Sequence, residues 1–168
     1  MRRYFLGLGS NIAPHTNFGL MLRELLTLAP IVHVGRVIET APVGVVGDPF
    51  LNTATCLDLD CDPQTLKQTL NAIETRLGRD RTAPGSKTRS RTADLDIICW
   101  LDPADRHMPA TLLPDEPYTR PMLLELLAYL GITTEAETPE LGSGVALDLA
   151  GQPFGLLPTT FNCKGNTP

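Results

Sequence analysis

The sequence predicts an α+β domain with a ferredoxin-like βαββαβ core, an antiparallel sheet with helices packed against it. Two observations carry this prediction, the order of the elements and the size of the chain. Segments with strand and helix periodicity alternate in the order β-α-β-β-α-β, which is typical of antiparallel sheets with helices on one face. With 168 residues, 42% of them hydrophobic, the chain can bury a single core without covalent cross-links.

The first elements are a short strand, an amphipathic helix and a second strand. Residues 4–8 predict a buried strand, which ends in the turn residues Gly9-Ser10-Asn11. Residues 31–38 predict the second strand. Between the strands, apolar residues recur on one face of a helix that ends before Pro30, namely Phe18, Met21, Leu22, Leu25, Leu26 and Ala29.

A turn-rich loop over residues 40–49 leads into a long alternating strand over residues 50–60. Alternate side chains of a strand share a face, so Leu51 and every second residue after it can enter the core. Phe50 and Asn52 share the opposite face and start nearest the loop. We therefore expect Phe50 and Asn52 to point together into a cleft.

The second helix carries clear start and stop signals. Asp62 and Pro63 are typical of an N-cap followed by a first turn, and an apolar stripe runs from Leu66 to Leu77. Gly78 follows as the expected C-terminal glycine. These signals predict a helix between Pro63 and Leu77.

The last predicted elements are a strand over residues 94–101 and a helix over residues 121–130 capped by Thr119. From Thr133 onward the chain is rich in glycine, proline and acidic residues and shows no clear period. We therefore predict a catalytic domain over residues 1–132 and a tail over residues 133–168, loosely packed on the same domain.

Composition and charge exclude several classes of protein. The net charge of -5 argues against a general affinity for nucleic acid, which needs a basic face. No apolar run approaches the roughly 20 residues of a membrane-spanning helix. The four cysteines match neither a disulfide framework nor a zinc motif. We expect a cytoplasmic monomer that binds small molecules and neither nucleic acid nor a membrane.

The basic residues are concentrated in one segment of this acidic chain. Six of the fourteen Lys and Arg residues lie between residues 76 and 91, against the single acid Asp80. This distribution predicts a local anion site, and the alternative is a solvated loop. The six basic residues are Arg76, Arg79, Arg81, Lys87, Arg89 and Arg91.

Two aspartates follow the basic segment directly. Asp94 and Asp96 share one face of the predicted strand about 6 to 7 Å apart, close enough to bridge one cation or hold two. The alternative is a pair of surface carboxylates on a sheet edge. The apolar neighbours Leu95 and Ile97 favour an interior strand, where two uncompensated carboxylates would be unfavourable. We therefore predict that the pair binds Mg²⁺, which together with the arginines would neutralise a polyphosphate.

Six short blocks follow the order and approximate spacing of the hydroxymethyldihydropterin pyrophosphokinases, which this sequence resembles over residues 4–130. No single block is diagnostic, but six in order are specific for that family. The blocks are Gly9-Ser10-Asn11, Thr40 with Pro42-Val43-Gly44, Phe50-Leu51-Asn52, Glu74 with Gly78-Arg79-Asp80-Arg81, Arg91-Thr92-Ala93-Asp94-Leu95-Asp96-Ile97, and Pro114 with Arg120.

The resemblance implies a role for each matching position. Asp94 and Asp96 would hold two Mg²⁺ ions on the co-substrate ATP, and Arg79 and Arg91 would engage the transferred phosphates. These four residues form the implied catalytic set. The implied nucleotide contacts are Glu74, Arg79, Arg81, Arg91 and Arg120. The implied contacts to the edge of the pterin ring are Thr40, Pro42, Val43, Gly44 and Asn52, with Phe50 and Met122 covering the faces of the ring.

The implied activity is that of a 2-amino-4-hydroxy-6-hydroxymethyldihydropteridine diphosphokinase of folate biosynthesis. The hydroxymethyl oxygen would attack the β-phosphorus of ATP and release AMP. Departures from the family pattern leave open a related transferase acting on another pterin-like alcohol, or a non-catalytic binding paralogue. The loop over residues 82–91 is longer and has no aromatic residue, and other positions that differ are Asp115, Glu116, Tyr118 and Met122.

Overall fold

The computed structural model describes residues 1–42, 47–85, 90–137 and 140–163. The strands are β1 (Arg2–Ser10), β2 (Ile31–Val34), β3 (Ile38–Thr40), β4 (Phe50–Leu59), β5 (Asp94–Leu101), β6 (Leu147–Leu149), β7 (Gln152–Phe154) and β8 (Thr159–Asn162). The helices are α1 (Pro14–Leu28), α2 (Pro63–Arg76) and α3 (Thr119–Tyr129), with a 3-10 turn at Ala110–Leu112.

The main sheet has the strand order β5-β1-β4-β2-β8, and β3 also pairs with β4. Every pairing in it is antiparallel. The four predicted strands correspond to β1, β2, β4 and β5, so the fourth strand lies beside the first and the third beside the second. This is the ferredoxin-like arrangement, and the predicted fold class is confirmed.

Both faces of the sheet are covered by apolar side chains. Tyr4 and Phe5 are neighbours in β1 and therefore point to opposite faces, yet neither has exposed surface. Helices α1 and α2 pack with Tyr4 in one core, and α3 packs with Phe5 in the other. The expectation that the helices share one face therefore holds for α1 and α2, whereas α3 covers the opposite face because Phe5 and its neighbours are also apolar.

The ends of α2 follow the sequence signals. The Asp62 side chain accepts hydrogen bonds from the backbone N–H groups of Gln64 and Thr65, as an N-cap does. Gly78 has φ +88°, the left-handed conformation that favours glycine after a helix. Thr119, in contrast, is the first residue of α3 and not its cap. Within the described ranges, no helix has the length and apolar character needed to cross a membrane.

The single strand predicted over residues 31–38 is divided into β2 and β3. The backbone N–H of Val37 donates to the carbonyl oxygen of Gly155, and the carbonyl oxygen of Val37 accepts from Val145, each at 2.8 Å. The Val37 backbone groups are thus bonded to the C-terminal segment and not to β4. This distant contact interrupts the ladder between the two strands.

Strand β5 contains a β-bulge that changes the predicted alternation. Phe5 pairs with Cys99 and Leu6 pairs with Ile97, so Ile98 is the extra residue. Cys99 therefore packs in the same core as Phe5, opposite to Leu95, and not on the face of Leu95 as strict alternation predicts. Burial there raises the pKa of the Cys99 thiol to about 12, which keeps it protonated near neutral pH.

The segment after residue 133 contributes to the folded domain. Strands β6 and β7 form a hairpin, and Leu147 and Phe154 from it are buried in the core of α1 and α2. Strand β8 extends the main sheet beside β2, and its Phe161 is buried in the same core. The division of the chain at residue 132 stays a prediction, but this part of the predicted tail helps to cover the sheet.

Candidate active site

Two adjoining cavities lie where β1, β4 and β5 meet the segment that leads into α3. The larger has a volume of about 700 Å³ and is lined by residues that include Gly7, Gly9, Asn52, Asp94, Asp96, Ile98, Asp115, Glu116, Tyr118 and Met122. The smaller, of about 140 Å³, is lined by Thr40, Ala41, Phe50, Asn52, Arg91, Asp94 and Tyr118. Because Asn52, Asp94 and Tyr118 line both cavities, we treat them as two parts of one candidate site.

The two aspartates lie on an edge strand and not in the interior of the sheet. Strand β5 is the first strand of the sheet order, and among the described residues it has a neighbouring strand on one side only. The prediction of an interior strand was wrong. Leu95 is buried because helices pack on its face of the sheet, and burial of this kind does not require a neighbouring strand on each side of β5. Asp94 and Asp96 still line the same cavity, with side-chain exposures of 20% and 60%.

Asp94 is the carboxylate that brings two arginines together. Its Oδ1 accepts a hydrogen bond from Nη1 of Arg79, and its Oδ2 accepts one from Nη1 of Arg91 at 2.5 Å. The Arg79 and Arg91 side chains are 10% and 21% exposed. Arg91 lines the smaller cavity, whereas Arg79 is bonded to Asp94 without lining either cavity. Partly buried, charge-assisted bonds of this kind are stronger than neutral ones and fix both partners in place.

Glu74 is fully buried behind the two arginines that follow α2. Its Oε1 accepts from Nη1 of Arg79 at 2.9 Å and from the backbone N–H of Leu95 at 2.8 Å. Its Oε2 accepts from Nε of Arg81 at 2.9 Å and also from Nη2 of Arg81. Glu74 therefore joins the end of α2 to the start of β5. Its predicted contact with a nucleotide stays a prediction, since its side chain has no exposed surface in this structure.

The carboxylate of Asp96 pairs with a lysine, whereas that of Asp94 pairs with arginines. Nζ of Lys67, on α2, donates to Oδ1 of Asp96 at 2.5 Å. The two side chains are 38% and 60% exposed, and an exposed pair of this kind contributes only about 0 to 1 kcal/mol. Asp96 is thus accessible and weakly held, in contrast to Asp94.

The donor set of this site fits Mg²⁺. In the part of the chain that the structure describes, no group of three or more His, Cys, Asp or Glu residues can hold a metal ion. Two carboxylates facing one cavity would therefore leave most coordination positions to other oxygen atoms. Mg²⁺ is usually bound in this way, through one or two carboxylates together with substrate phosphates and water.

The residues predicted for the ring edge converge only in part. Nδ2 of Asn52 donates to Oγ1 of Thr40 at 2.6 Å, and both side chains line the smaller cavity beside Phe50. This places Phe50 and Asn52 at one cleft, as the strand register predicts. Val43 and Gly44 lie outside the described residues.

The remaining predicted positions do not line the cavities, and these are Pro42, Glu74, Arg79, Arg81 and Arg120. Arg81 is 42% exposed and bonded to Glu74. Arg120 donates to the carbonyl oxygen of Pro114 at 3.4 Å. Neither Pro42 nor Arg120 is among the described residues that line the two cavities. Their binding roles stay predictions. Lys87 and Arg89, from the predicted anion site, lie outside the described residues.

Asn11 is a residue of the site to which sequence reasoning gave no role. It is 4% exposed, and its Oδ1 accepts from the backbone N–H of Arg91 at 2.7 Å. Its Nδ2 donates to the carbonyl oxygen of Asp48 and to Oγ of Ser90. Asn11 therefore fixes the chain just before the aspartates. The Gly9-Ser10-Asn11 block is the sequence feature that contains this residue, but it does not indicate which residues Asn11 contacts.

Comparison with known families gives one result for this chain. A family model described as 7,8-dihydro-6-hydroxymethylpterin-pyrophosphokinase matches residues 5–128. The matched range begins in β1 and ends in α3, so it contains both cavities and the cluster around Asp94. A comparison with curated proteins gives no match.

Proposed function

Because this chain belongs to the 7,8-dihydro-6-hydroxymethylpterin-pyrophosphokinase family, we propose that it transfers pyrophosphate from ATP to the hydroxymethyl group of 6-hydroxymethyl-7,8-dihydropterin. AMP is the second product, and the reaction belongs to folate biosynthesis. The observation that supports this most strongly is the position of Asp94. It lines both cavities and binds the two arginines that the transfer would use.

Asp94 and Asp96 would hold two Mg²⁺ ions on the triphosphate of ATP. When bound, such ions neutralise the phosphate charge and polarise the phosphorus that is attacked. The two aspartates differ in what they do for the site. Asp96 offers an exposed oxygen, whereas Asp94 already binds the guanidinium groups of Arg79 and Arg91.

Arg79 and Arg91 would stabilise the charge that develops on the transferred phosphates. Phosphoryl-type transfer requires positioning and charge neutralisation more than covalent participation of the protein. Donors that are already fixed do not have to reorganise as the reaction proceeds. Glu74 and Asn11 supply this fixation, because they bond to the Arg79 side chain and the Arg91 backbone.

The smaller cavity would hold the pterin ring. The amide of Asn52 and the hydroxyl of Thr40 can bond to the amide-like edge of such a ring, with Phe50 beside it. The substituent of the ring would then lie near Asp94 and Arg91, which line the same cavity.

The proposed reaction is one in-line displacement. A bond forms between the hydroxymethyl oxygen and the β-phosphorus. The bond from the β-phosphorus to the oxygen that bridges it to the α-phosphorus breaks, AMP leaves with that oxygen, and the proton of the hydroxymethyl group is released to water. The residues around the site bind and orient the two substrates for this step.

The direct test is to incubate the protein with ATP, Mg²⁺ and 6-hydroxymethyl-7,8-dihydropterin and to measure AMP. We expect AMP in a one-to-one ratio with the diphosphorylated pterin. ATP binding without AMP release would indicate a transferase for another pterin-like alcohol. Absence of Mg-ATP binding in calorimetry would indicate a non-catalytic binding protein, and either result would overturn the proposal.

Gly9→Ala is expected to weaken pterin binding by roughly tenfold, the equivalent of about 1.4 kcal/mol. A Cβ atom at Gly9 would lie 2.7 Å from Oδ1 of Asn52, so the amide has to move from its position beside Thr40. Gly7→Ala is the matched control, because its Cβ would meet Ile98 at 3.8 Å, an ordinary contact. Calorimetric titration of both variants with 6-hydroxymethylpterin measures the difference. Equal affinities would show that Asn52 does not bind the ring.

A further inference from the structure

We propose that Tyr118 is a specificity-determining residue that supplies, together with Phe50, the aromatic walls of the ring-binding cavity. This inference rests on the proposed function. It assigns to Tyr118 the contact that the sequence assigns to Met122, and it concerns a position where the chain departs from its family.

The two aromatic residues reach the smaller cavity from different parts of the fold. Phe50 is the first residue of β4, and Tyr118 immediately precedes α3. Both line the cavity of about 140 Å³, and Tyr118 also lines the larger one. The smaller cavity is therefore lined by two aromatic residues that come from different elements.

The Tyr118 side chain is not engaged elsewhere. It is 38% exposed, and its hydroxyl has no hydrogen bond to any residue that the structure describes. In the same described ranges, neither it nor Phe50 stacks on another aromatic ring. A tyrosine at a cavity wall with a free ring face can cover a planar ligand without giving up packing in the protein.

Met122 is placed differently. It is 3% exposed, belongs to the core that α3 forms with Phe5, and lines the larger cavity but not the smaller one. Its side chain is therefore held mainly by the protein interior. Tyr118 is therefore better placed than Met122 to cover the face of the pterin ring that the family pattern assigns to position 122.

The other groups of the smaller cavity define the class of ligand. Thr40 and Asn52 offer hydrogen bonds to a ring edge, and Arg91 and Asp94 are charged groups of the transfer site. A planar heteroaromatic ring with an amide-like edge, carrying a short alcohol directed toward the charges, satisfies both kinds of contact. Tyr118 would make the cavity selective for planar rings over puckered ones.

The test compares the affinity of Tyr118→Ala and Tyr118→Phe for 6-hydroxymethylpterin, measured by calorimetry. We expect Tyr118→Ala to weaken binding by about tenfold, in the range of a lost ring stack. Tyr118→Phe should bind as the unchanged protein does, because the ring face remains. The affinity for a non-hydrolysable Mg-ATP analogue should be the same in all three proteins.

A control distinguishes this inference from a general effect of losing a tyrosine near α3. Tyr129→Ala removes a tyrosine of similar exposure at the other end of α3, whose hydroxyl bonds to Thr160, and should leave pterin affinity unchanged. If Tyr118→Ala binds the pterin normally, or loses only nucleotide affinity, the inference is wrong while the proposed function stands. If the unchanged protein binds no pterin, the proposed function and this inference both fail.

Discussion

Asp96→Ala is expected to lower the rate of AMP formation on the order of 1,000-fold, the loss seen when a group that stabilises transition-state charge is removed. The reason is that Asp96 would hold a cation on the phosphates, whereas Asp94, the other carboxylate of the pair, is already bonded to two arginines. The fold should be unaffected, since the side chain is 60% exposed and bonded to an exposed lysine. Single-turnover assays at saturating ATP and Mg²⁺, with a thermal melt alongside, measure both effects.

Lys67→Met is the matched control for this prediction. This substitution breaks the ion pair between Lys67 and Asp96 by replacing the lysine, and it leaves the Asp96 carboxylate in place. We expect full turnover, with Mg²⁺ affinity equal to or higher than that of the unchanged protein. Calorimetry with Mg²⁺ and a non-hydrolysable ATP analogue gives a readout independent of turnover. Near-normal turnover in Asp96→Ala would remove the carboxylate pair from the mechanism.

Replacing Asp94 does not separate catalysis from stability as clearly as replacing Asp96 does. The sequence alone predicts that Asp94→Ala and Asp96→Ala both leave the fold intact. The structure changes this expectation for Asp94, because Arg79 and Arg91 both bond to it. Its removal would take a carboxylate acceptor from each of two partly buried guanidinium groups, so lost turnover would combine a stability effect with a catalytic one.

Elements that are determined by residues close together in the chain could be predicted from the sequence. The start and end of α2 depend on Asp62 and Gly78, and both act on backbone groups within a few residues. The same holds for Phe50 and Asn52, because the alternation of one strand decides that they share a face.

Features that depend on distant contacts could not be predicted. The interruption between β2 and β3 arises because the backbone of Val37 is hydrogen-bonded to residues 145 and 155. The residues near Val37 in the sequence do not predict these bonds. The position of β5 at the sheet edge is likewise a property of the whole topology. In the site, Asn11 holds the backbone of Arg91 across 80 residues of sequence. Sequence reasoning named Asp94 and Asp96, which line the larger cavity, but it gave Asn11 no role and did not predict the burial of Glu74 beside Arg79.

Glu74→Ala is expected to lower the free energy of unfolding by roughly 3 to 5 kcal/mol, the usual effect of removing one partner from a buried ion pair. Glu74 has no exposed surface, and Arg79, its partner, is 10% exposed. The backbone N–H of Leu95 would also lose its acceptor. Glu24→Ala is the matched control, because Glu24 pairs with Arg76 on the surface and should contribute no more than about 1 kcal/mol. Urea denaturation of the two variants gives the comparison.

The double substitution Glu74→Leu with Arg79→Met distinguishes stability from positioning. Replacing both partners of a buried ion pair by apolar residues of similar volume is often neutral for stability. We therefore expect the double variant to be more stable than Glu74→Ala, since Arg81 is 42% exposed and can be hydrated. It should stay about 1 to 3 kcal/mol less stable than the unchanged protein, because the backbone N–H of Leu95 still lacks its acceptor. Turnover should nevertheless stay low, because Asp94 would keep Arg91 but lose the guanidinium of Arg79. Recovery of turnover together with stability would show that Glu74 and Arg79 serve the fold alone.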